Sequence, residues 1–265
     1  MAVNANAKSL AVTVSSQSSV EDVQLFDALV AQVGRALIRA TVDEMDAAIN
    51  SCLKRTGIDL GLDRCTLAQI DPVTGVANFT HGWAREPYRL VSQSLNANRL
   101  LPWTVERILA GQTVVMSSPD KLPKEAAVDR ESFLRYGPKS NVMVPIRVGG
   151  IVVRGMSFAA LRRERGWPAH TVQGFEAIGE IFSLGLERKR AVADLAASMV
   201  YELNQPLAAI LSNAEAMAHM LTSRQPDLDE IRAIVADSIQ DNSRASETLQ
   251  RIWATFEHVR SAGRK

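Results

Sequence analysis

The spacing of apolar residues divides this chain into a mixed N-terminal half and an all-helical C-terminal half. From about residue 21 to 187, helical spacings of three and four alternate with period-two runs, which predicts alternating helices and strands. From about 188 to 265 only the helical spacing remains. Residues 1–20 are small, polar and Ser-rich, and this composition predicts a disordered lead-in.

The first half contains two predicted β-hairpins. Strands at 64–70 and 76–83 are joined by the turn sequence Asp-Pro-Val-Thr-Gly. The β-branched runs 141–148 and 151–160 flank Gly149-Gly150, which is the sequence form of a tight primed turn. The remaining elements predicted here are two helices before residue 61, a helix at 102–110, a strand at 113–116 and a partly helical stretch at 119–136.

The second half predicts an antiparallel helical hairpin. Apolar spacing continues from about 169 to 221 without a stop signal, and a second helix follows at about 228–260. A helix of some 45–50 residues would be about 70 Å long, which is typical of coiled coils and bundles. A lone hairpin leaves its apolar face uncovered, so we expect a homodimer that forms a four-helix bundle. The charged run 187–190 is predicted to be a solvated turn within the first helix.

Charge and composition narrow the class of protein. The 265 residues carry 30 Lys+Arg against 29 Asp+Glu, a net charge of +1, which argues against a nucleic-acid partner. The sequence has no membrane-spanning apolar run and no secretory signal pattern. Two cysteines cannot form a disulfide framework, so we expect a cytoplasmic protein.

One polar segment interrupts the first long helix. It reads Tyr201-Glu202-Leu203-Asn204-Gln205-Pro206-Leu207, and Pro206 is predicted to kink the helix because its ring removes a backbone hydrogen bond. The segment resembles the phosphoacceptor box of sensor histidine kinases, usually His-Glu-Leu-Asn-Gln-Pro-Leu. The resemblance covers about residues 190–260 and implies a dimerisation and phosphoacceptor (HisKA-type) hairpin in a two-component system.

The first half resembles the GAF domains that precede such kinases. The residues that carry this resemblance are the segments 62–67, 102–103, 144–150 and 167–168. It implies an α+β fold in which helices flank an antiparallel sheet, and it covers about residues 25–187. A GAF domain implies a possible small-molecule ligand, but no residue indicates which ligand that is, and no cofactor is expected.

Two departures from the kinase pattern change the expected activity. Tyr201 stands where the family has its phosphorylated histidine, and a phenol with a pKa near 10 cannot replace the imidazole nucleophile. The chain ends at Lys265, just after the second helix, so we also expect it to have no ATP-binding domain. We therefore expect no autophosphorylation. Tyr201 is interpreted as loss of the acceptor, as an altered His, or as a tyrosine phosphorylation site.

The resemblance leaves several roles open for the segment. Glu202, Asn204 and Gln205 are predicted to form a docking surface for a response-regulator receiver domain, or a relic polar patch. In the alternative function, Glu202 and Gln205 serve a response-regulator phosphatase, with Gln205 orienting water. A truncated or altered piece of a full kinase is the third alternative, and a purely structural dimer is the fourth.

The other candidate residues favour structural roles. Cys52 and Cys65 are interpreted as small buried hydrophobes, and neither has a neighbour at metal-ligand spacing, so no metal site is predicted. Three tryptophans could line a ligand pocket but are more typical of core packing. The tryptophans are Trp83, Trp103 and Trp167, and the histidines interpreted as ordinary are His81, His170, His219 and His258.

Overall fold

A computed structural model describes residues 23–91 and 94–262, and the predicted lead-in at 1–20 lies outside the described residues. The chain divides into two compact units after Lys189. The first unit contains all six strands of the described residues, and the second is helical. No helix in the described part of the chain combines the length and apolarity that crossing a membrane requires.

The first unit is built on one six-stranded antiparallel sheet. The strand order is β3-β2-β1-β6-β5-β4, so each predicted hairpin forms a neighbouring pair. Gly149 and Gly150 both have positive φ, as the turn between β5 and β6 requires. The strands are β1 (Arg64–Ile70), β2 (Val76–Ala84), β3 (Ser94–Asn96), β4 (Val114–Met116), β5 (Ser140–Val148) and β6 (Ile151–Ala160).

Helices cover both faces of the sheet. On one face, α1 (23–39), α2 (Met45–Asp59) and the start of α6 (Ala169–Met220) pack on the sheet around Phe158, Phe175 and Phe182. Phe158 and Phe175 stack with ring centroids 4.0 Å apart. The opposite face carries α3 (Ala97–Leu100), α4 (Pro102–Leu109) and α5 (Ala127–Tyr136).

A buried aspartate fixes the N-terminus of α4. Asp129 on α5 has no exposed surface, and its two carboxylate oxygens accept the N–H groups of Trp103 and Thr104 at 3.1 and 2.8 Å. These N–H groups have no partner within the helix, and a carboxylate also interacts favourably with the positive end of the helix dipole. The contact ties α4 to α5 on one side of the sheet.

The irregular region at 84–140 holds two elements that the sequence pattern did not predict. Strand β3 pairs with β2 over only three residues, and α3 is a single turn that begins directly after it. Periodicity cannot indicate elements this short, because neither completes enough repeats of its pattern. The side chain of Asn96 accepts the N–H of Arg99, which caps α3.

The prediction that residues 187–190 form a solvated turn is wrong. The carboxylate of Glu187 accepts the N–H of Gly149, and Lys189 pairs with Asp46 on α2 at 2.6 Å. The guanidinium of Arg188 donates to the carbonyl oxygens of Leu37, Ile38 and Ala40. Carbonyls at a helix C-terminus lack helical partners, so a cation there is stabilising, and this stretch of α6 is tied to α1 and α2.

The second unit is a helical hairpin, as the apolar spacing predicts. Helix α6 runs without interruption to Met220 with Pro206 inside it, and α7 spans Leu228–Ala262. The carboxylate of Asp227 accepts the N–H groups of Asp229 and Glu230, so it caps α7. The four-helix bundle that this hairpin would form with a second copy stays a prediction.

Candidate functional sites

The first unit encloses a cavity between the sheet and the helices α3, α4 and α5. Its volume is about 330 Å³, within the range of small-molecule sites. Alternate residues of β1 line it in the order Arg64, Thr66, Ala68 and Ile70, because successive side chains of a strand point to opposite faces. The polar members of this row lie at one end and the apolar members at the other.

Cross-strand pairing extends the polar end of the cavity. Arg64 and Asn141 both pair with Ala159, so they occupy one row across three strands. Thr66 lies opposite Ser157 in the next row, and the Ser157 hydroxyl donates to the amide oxygen of Asn141 at 2.9 Å. Ser132 and Tyr136 of α5 also line the cavity.

The opposite end of the cavity is apolar. Its lining comes from β1, β2, β3 and α4, and no Asp or Glu is among the described residues that line the cavity. Gly155 forms part of the floor beside Ile70 and Ile108. The apolar lining residues of this end include Ile70, Ala77, Phe79, Leu95, Val105 and Ile108.

The electrostatic setting of Arg64 is unusual for an arginine. Arg64 is half-buried, and this partial burial lowers the pKa of its guanidinium. Among the described residues it forms no ion pair and no side-chain hydrogen bond. Buried charges in proteins are ordinarily paired. This cavity therefore presents an unneutralised cation to whatever occupies it.

The cysteines and tryptophans of the first unit lie in the core. Cys52 and Cys65 are buried free thiols on the other face of the sheet, and burial raises the pKa of Cys52 to about 11 and raises that of Cys65 further. Trp83 and Trp167 pack against that core, and Trp103 packs against the core beside α4. None of the three tryptophans is among the described residues lining the cavity.

The second unit has a groove between α6 and α7 at the polar segment. Its volume is about 310 Å³. Arg251 of α7 donates to the carboxylate of Glu202 at 3.2 Å, and Arg244 pairs with Asp241 at 3.1 Å. The full lining is Glu202, Gln205, Pro206, Ala209, Asp241, Arg244, Thr248 and Arg251.

The predicted site residues of the second unit differ in exposure. Tyr201 has 67% of its surface exposed, and Glu202, Asn204 and Gln205 are also exposed. Pro206 is buried against α7. Glu202 and Gln205 face the groove together, whereas Tyr201 and Asn204 are absent from its described lining. The side chain of His258 lies outside the described residues.

Several residues of both sites were missed from the sequence. Arg64 lies within the segment that carries the GAF resemblance, and a charged residue in an otherwise inward-facing strand row is a signal that could have identified it. The contribution of Asn141 and Ser157 to the cavity could be identified only from the register of the strands. Only the pairing of the two long helices brings Arg244, Thr248 and Arg251 to the groove, so the sequence alone could not identify them.

The fold of the first unit is that of a GAF domain. A phycocyanobilin-bound GAF domain from a cyanobacterial phytochrome matches with a TM-score of 0.52 and 14% identity, over 63% of this chain and 96% of that one. The GAF domain of a phosphoenolpyruvate-protein phosphotransferase from Coxiella burnetii matches with a TM-score of 0.50 and 13% identity, over 65% of this chain and 98% of that one. These identities are low, so the likeness establishes the fold alone, and it confirms the predicted antiparallel sheet with flanking helices.

Sequence similarity adds a weak link to sensor kinases. The sensor histidine kinase TmoS of Ectopseudomonas mendocina is 30% identical over 67 residues, which are 25% of this chain. The aligned stretch spans 7% of the length of that kinase. No family model matches the chain. The chain thus combines a GAF-domain fold with a weak similarity to a sensor histidine kinase.

Proposed function

We propose that this protein is a two-component signalling protein in which the GAF domain controls a histidine-kinase-like hairpin that docks a response-regulator receiver domain without phosphorylating itself. The observation that carries the proposal is the groove between α6 and α7. It places the exposed Glu202 and Gln205 beside Arg244 and Arg251.

The groove suits a phosphorylated partner. A phosphoryl group carries a charge of about −1.5 to −2 near neutral pH, and arginine is well suited to bind it through parallel N–H donors. Arg244 and Arg251 provide two guanidinium groups within one groove. Each is already next to a carboxylate, so a docked phosphoryl group would compete with Asp241 and Glu202 for these donors.

Exposed apolar residues of the hairpin support the proposed homodimer. Val200 and Leu207 on α6 and Leu221 directly after it are exposed at multiples of seven residues, and Leu211 follows Leu207 by four. A repeat of seven with a step of four is the spacing of a coiled-coil seam. The same spacing recurs on α7 at Leu228, Val235, Ile239, Leu249 and Trp253, all of them exposed in the single chain. A second copy of the hairpin would cover both seams.

The coupling between the two units would use α6. Contacts of Glu187, Arg188 and Lys189 tie this helix to the GAF domain, and the same helix continues to the segment 201–207. A ligand that binds two states of the GAF domain with different affinity would shift the state of α6. Tyr201 would take part in no phosphoryl transfer, because it lacks the imidazole nucleophile of a phosphoacceptor histidine.

Receiver binding tests this function. The full chain is titrated with a panel of purified receiver domains, phosphorylated and unphosphorylated, and at least one should bind with one receiver per hairpin. Gln205→Ala should weaken binding, whereas Gln225→Ala in the interhelical loop serves as the control for loss of an exposed glutamine. Absence of binding across the panel, or equal binding by both variants, contradicts docking at this groove.

Phosphatase activity is the second candidate function, and the position of Gln205 in the groove favours it. An amide beside a bound phosphoaspartate could orient the attacking water, with Glu202 close by. Turnover of phosphorylated receiver that disappears in Gln205→Ala would assign this activity, and binding without turnover would leave a docking adaptor. The remaining alternative, an altered piece of a full kinase, predicts that Tyr201→His accepts phosphate from an ATP-binding domain supplied in trans.

A further inference from the structure

The residues that line the cavity of the GAF domain favour one chemical class of ligand, which the fold alone does not specify. We propose that it binds a small amphipathic carboxylic acid, whose carboxylate pairs with the guanidinium of Arg64 and whose hydrocarbon body lies toward Ile70. This inference rests on the proposed sensor function and names the class of ligand that the sensor takes.

Arg64 supplies the first part of the argument. Its side chain lines the cavity and has no ion-pair partner within the described part of the chain. A half-buried guanidinium loses part of its hydration, and the planar fork of its donors matches a carboxylate in two parallel hydrogen bonds. A bound carboxylate would supply the anionic partner that the described residues do not provide.

The neighbours of Arg64 extend this polar end. Asn141 lies in the same row of the sheet, and its amide oxygen already accepts the Ser157 hydroxyl, so the amide N–H₂ group is oriented as a donor. Thr66 lies one row further along the cavity. The polar end thus offers donors, as an anionic oxygen requires, and no described lining residue there carries a negative charge.

The apolar end of the cavity indicates that the part of the ligand away from its carboxylate is hydrocarbon. Arg64 and Ile70 are six residues apart on one strand, which corresponds to about 20 Å at the usual rise per residue. Between them the lining changes to Ala68 and Gly155, and then to Ile70, Ala77 and Ile108. These residues contact hydrocarbon favourably and leave few partners for a ligand with polar groups along its whole length.

Other ligand charges fit this cavity less well. A cation would meet the like charge of the half-buried Arg64. A neutral hydrocarbon would fill the apolar end but would leave the half-buried Arg64 without an anionic partner among the described residues. A neutral amide of the same length is the sharpest comparison, because it keeps the shape and removes only the charge.

The experiment uses decanoate, decanamide and decylamine as matched probes below their aggregation concentrations. Calorimetric titration of the full chain should give decanoate an affinity about tenfold or more above decanamide, because a charge-assisted pair replaces a neutral one. Decylamine should be the weakest of the three. Decanoate should also raise the midpoint of thermal unfolding, since a ligand of the folded state stabilises it.

Variants of Arg64 decide whether the charge preference has the proposed origin. Arg64→Met keeps the length of the side chain and should abolish the preference for decanoate over decanamide. Arg64→Lys should retain part of this preference, and the midpoint of thermal unfolding of Arg64→Met shows whether that variant is folded. Arg55→Met on the exposed face of α2 is the matched control and should bind as the unmodified chain does.

The outcomes separate this inference from the function on which it rests. Equal binding of decanoate and decanamide, tighter binding of decylamine, unchanged binding in Arg64→Met, or no binding of any probe each overturns the proposed ligand class. None of these results affects receiver docking, which is measured on the hairpin by the titration with receiver domains. A chain that binds decanoate through Arg64 but binds no receiver retains the ligand class and loses the proposed output.

Discussion

Arg251 on α7 and Glu202 on α6 form an ion pair across the helical hairpin, with 3.2 Å between a guanidinium nitrogen and a carboxylate oxygen. The pair lies beside Gln205 and Pro206 in the groove. Glu202 is therefore held by a residue 49 positions further along the chain. In this chain its neighbour is the exposed Tyr201.

The ion pair is expected to matter more for docking than for stability. Arg251→Gln should change the free energy of unfolding by less than about 1 kcal/mol, because both side chains are substantially exposed. The same variant should weaken binding of a phosphorylated receiver, since one of the two guanidinium groups is lost. Urea denaturation and receiver titration of the same preparation measure the two effects. A large loss of stability would assign the pair a structural role.

Asp63 is expected to be among the most sensitive positions of the GAF domain. It has 1% of its surface exposed, and its Oδ2 accepts the N–H groups of Leu161 and Arg162 at 2.9 and 3.1 Å. Its Oδ1 lies 2.7 Å from Nε of Arg162. Asp63→Ala should lower the free energy of unfolding by about 3 kcal/mol, because two part-buried N–H groups lose their acceptor.

Asp63→Asn is the control for that effect. The amide keeps one oxygen acceptor for the two N–H groups but removes the charge, so it should recover part of the lost stability. Urea denaturation, monitored by circular dichroism, gives the free energy of unfolding of both variants. An Ala variant as stable as the unmodified chain would contradict the role of Asp63 in joining the end of β6 to β1.

Two glycines of the GAF domain should respond in opposite directions to alanine. A Cβ at Gly57 would lie 2.1 Å from the ring of Trp83, so Gly57→Ala should cost about 1–3 kcal/mol through overpacking. A Cβ at Gly155 would meet Ile70 and Ile108 at 3.5 Å, an ordinary contact distance. Gly155→Ala should therefore stabilise the fold by about 0.4–1 kcal/mol by restricting the unfolded chain. Thermal unfolding should show a lower midpoint for Gly57→Ala and a higher midpoint for Gly155→Ala than for the unmodified chain.

Stability of the GAF domain should decrease as the pH falls below about 6.5, and His81 is the expected cause. Its ring nitrogen lies 3.0 Å from Asp46, yet burial lowers its pKa, and the nearby Arg154 and Lys189 act in the same direction. The unfolded chain then binds a proton more readily than the folded one. The contribution of His81 is present above pH 6.5 and is lost as the pH falls toward its folded pKa.

Variants at two histidines test this pH dependence. Urea denaturation is measured between pH 5.5 and 8. The free energy of unfolding should change less with pH in His81→Gln than in the unmodified chain. His170→Gln removes a histidine outside this cluster and serves as the control. An unchanged slope in His81→Gln, or stability that rises as the pH falls, would contradict the assignment.

The sequence predicted those elements whose cause is local. The hairpin at Gly149-Gly150 follows from turn chemistry within a few residues, and it is present. The role of Arg188 could not be predicted, because its acceptors lie about 150 residues earlier in the chain. Arg64 and Asn141 meet in one row only through the register of three strands, which no local pattern specifies.

Hydrogen exchange of the full chain with and without a bound receiver domain tests the central claim most directly. If the receiver docks on the hairpin, backbone amides should gain protection over residues 202–209 of α6 and 241–251 of α7, which line the groove. The loop at 222–227 should exchange at an unchanged rate and provides an internal control. A bound receiver that protects neither segment, or protects only the GAF domain, would contradict the proposed docking function.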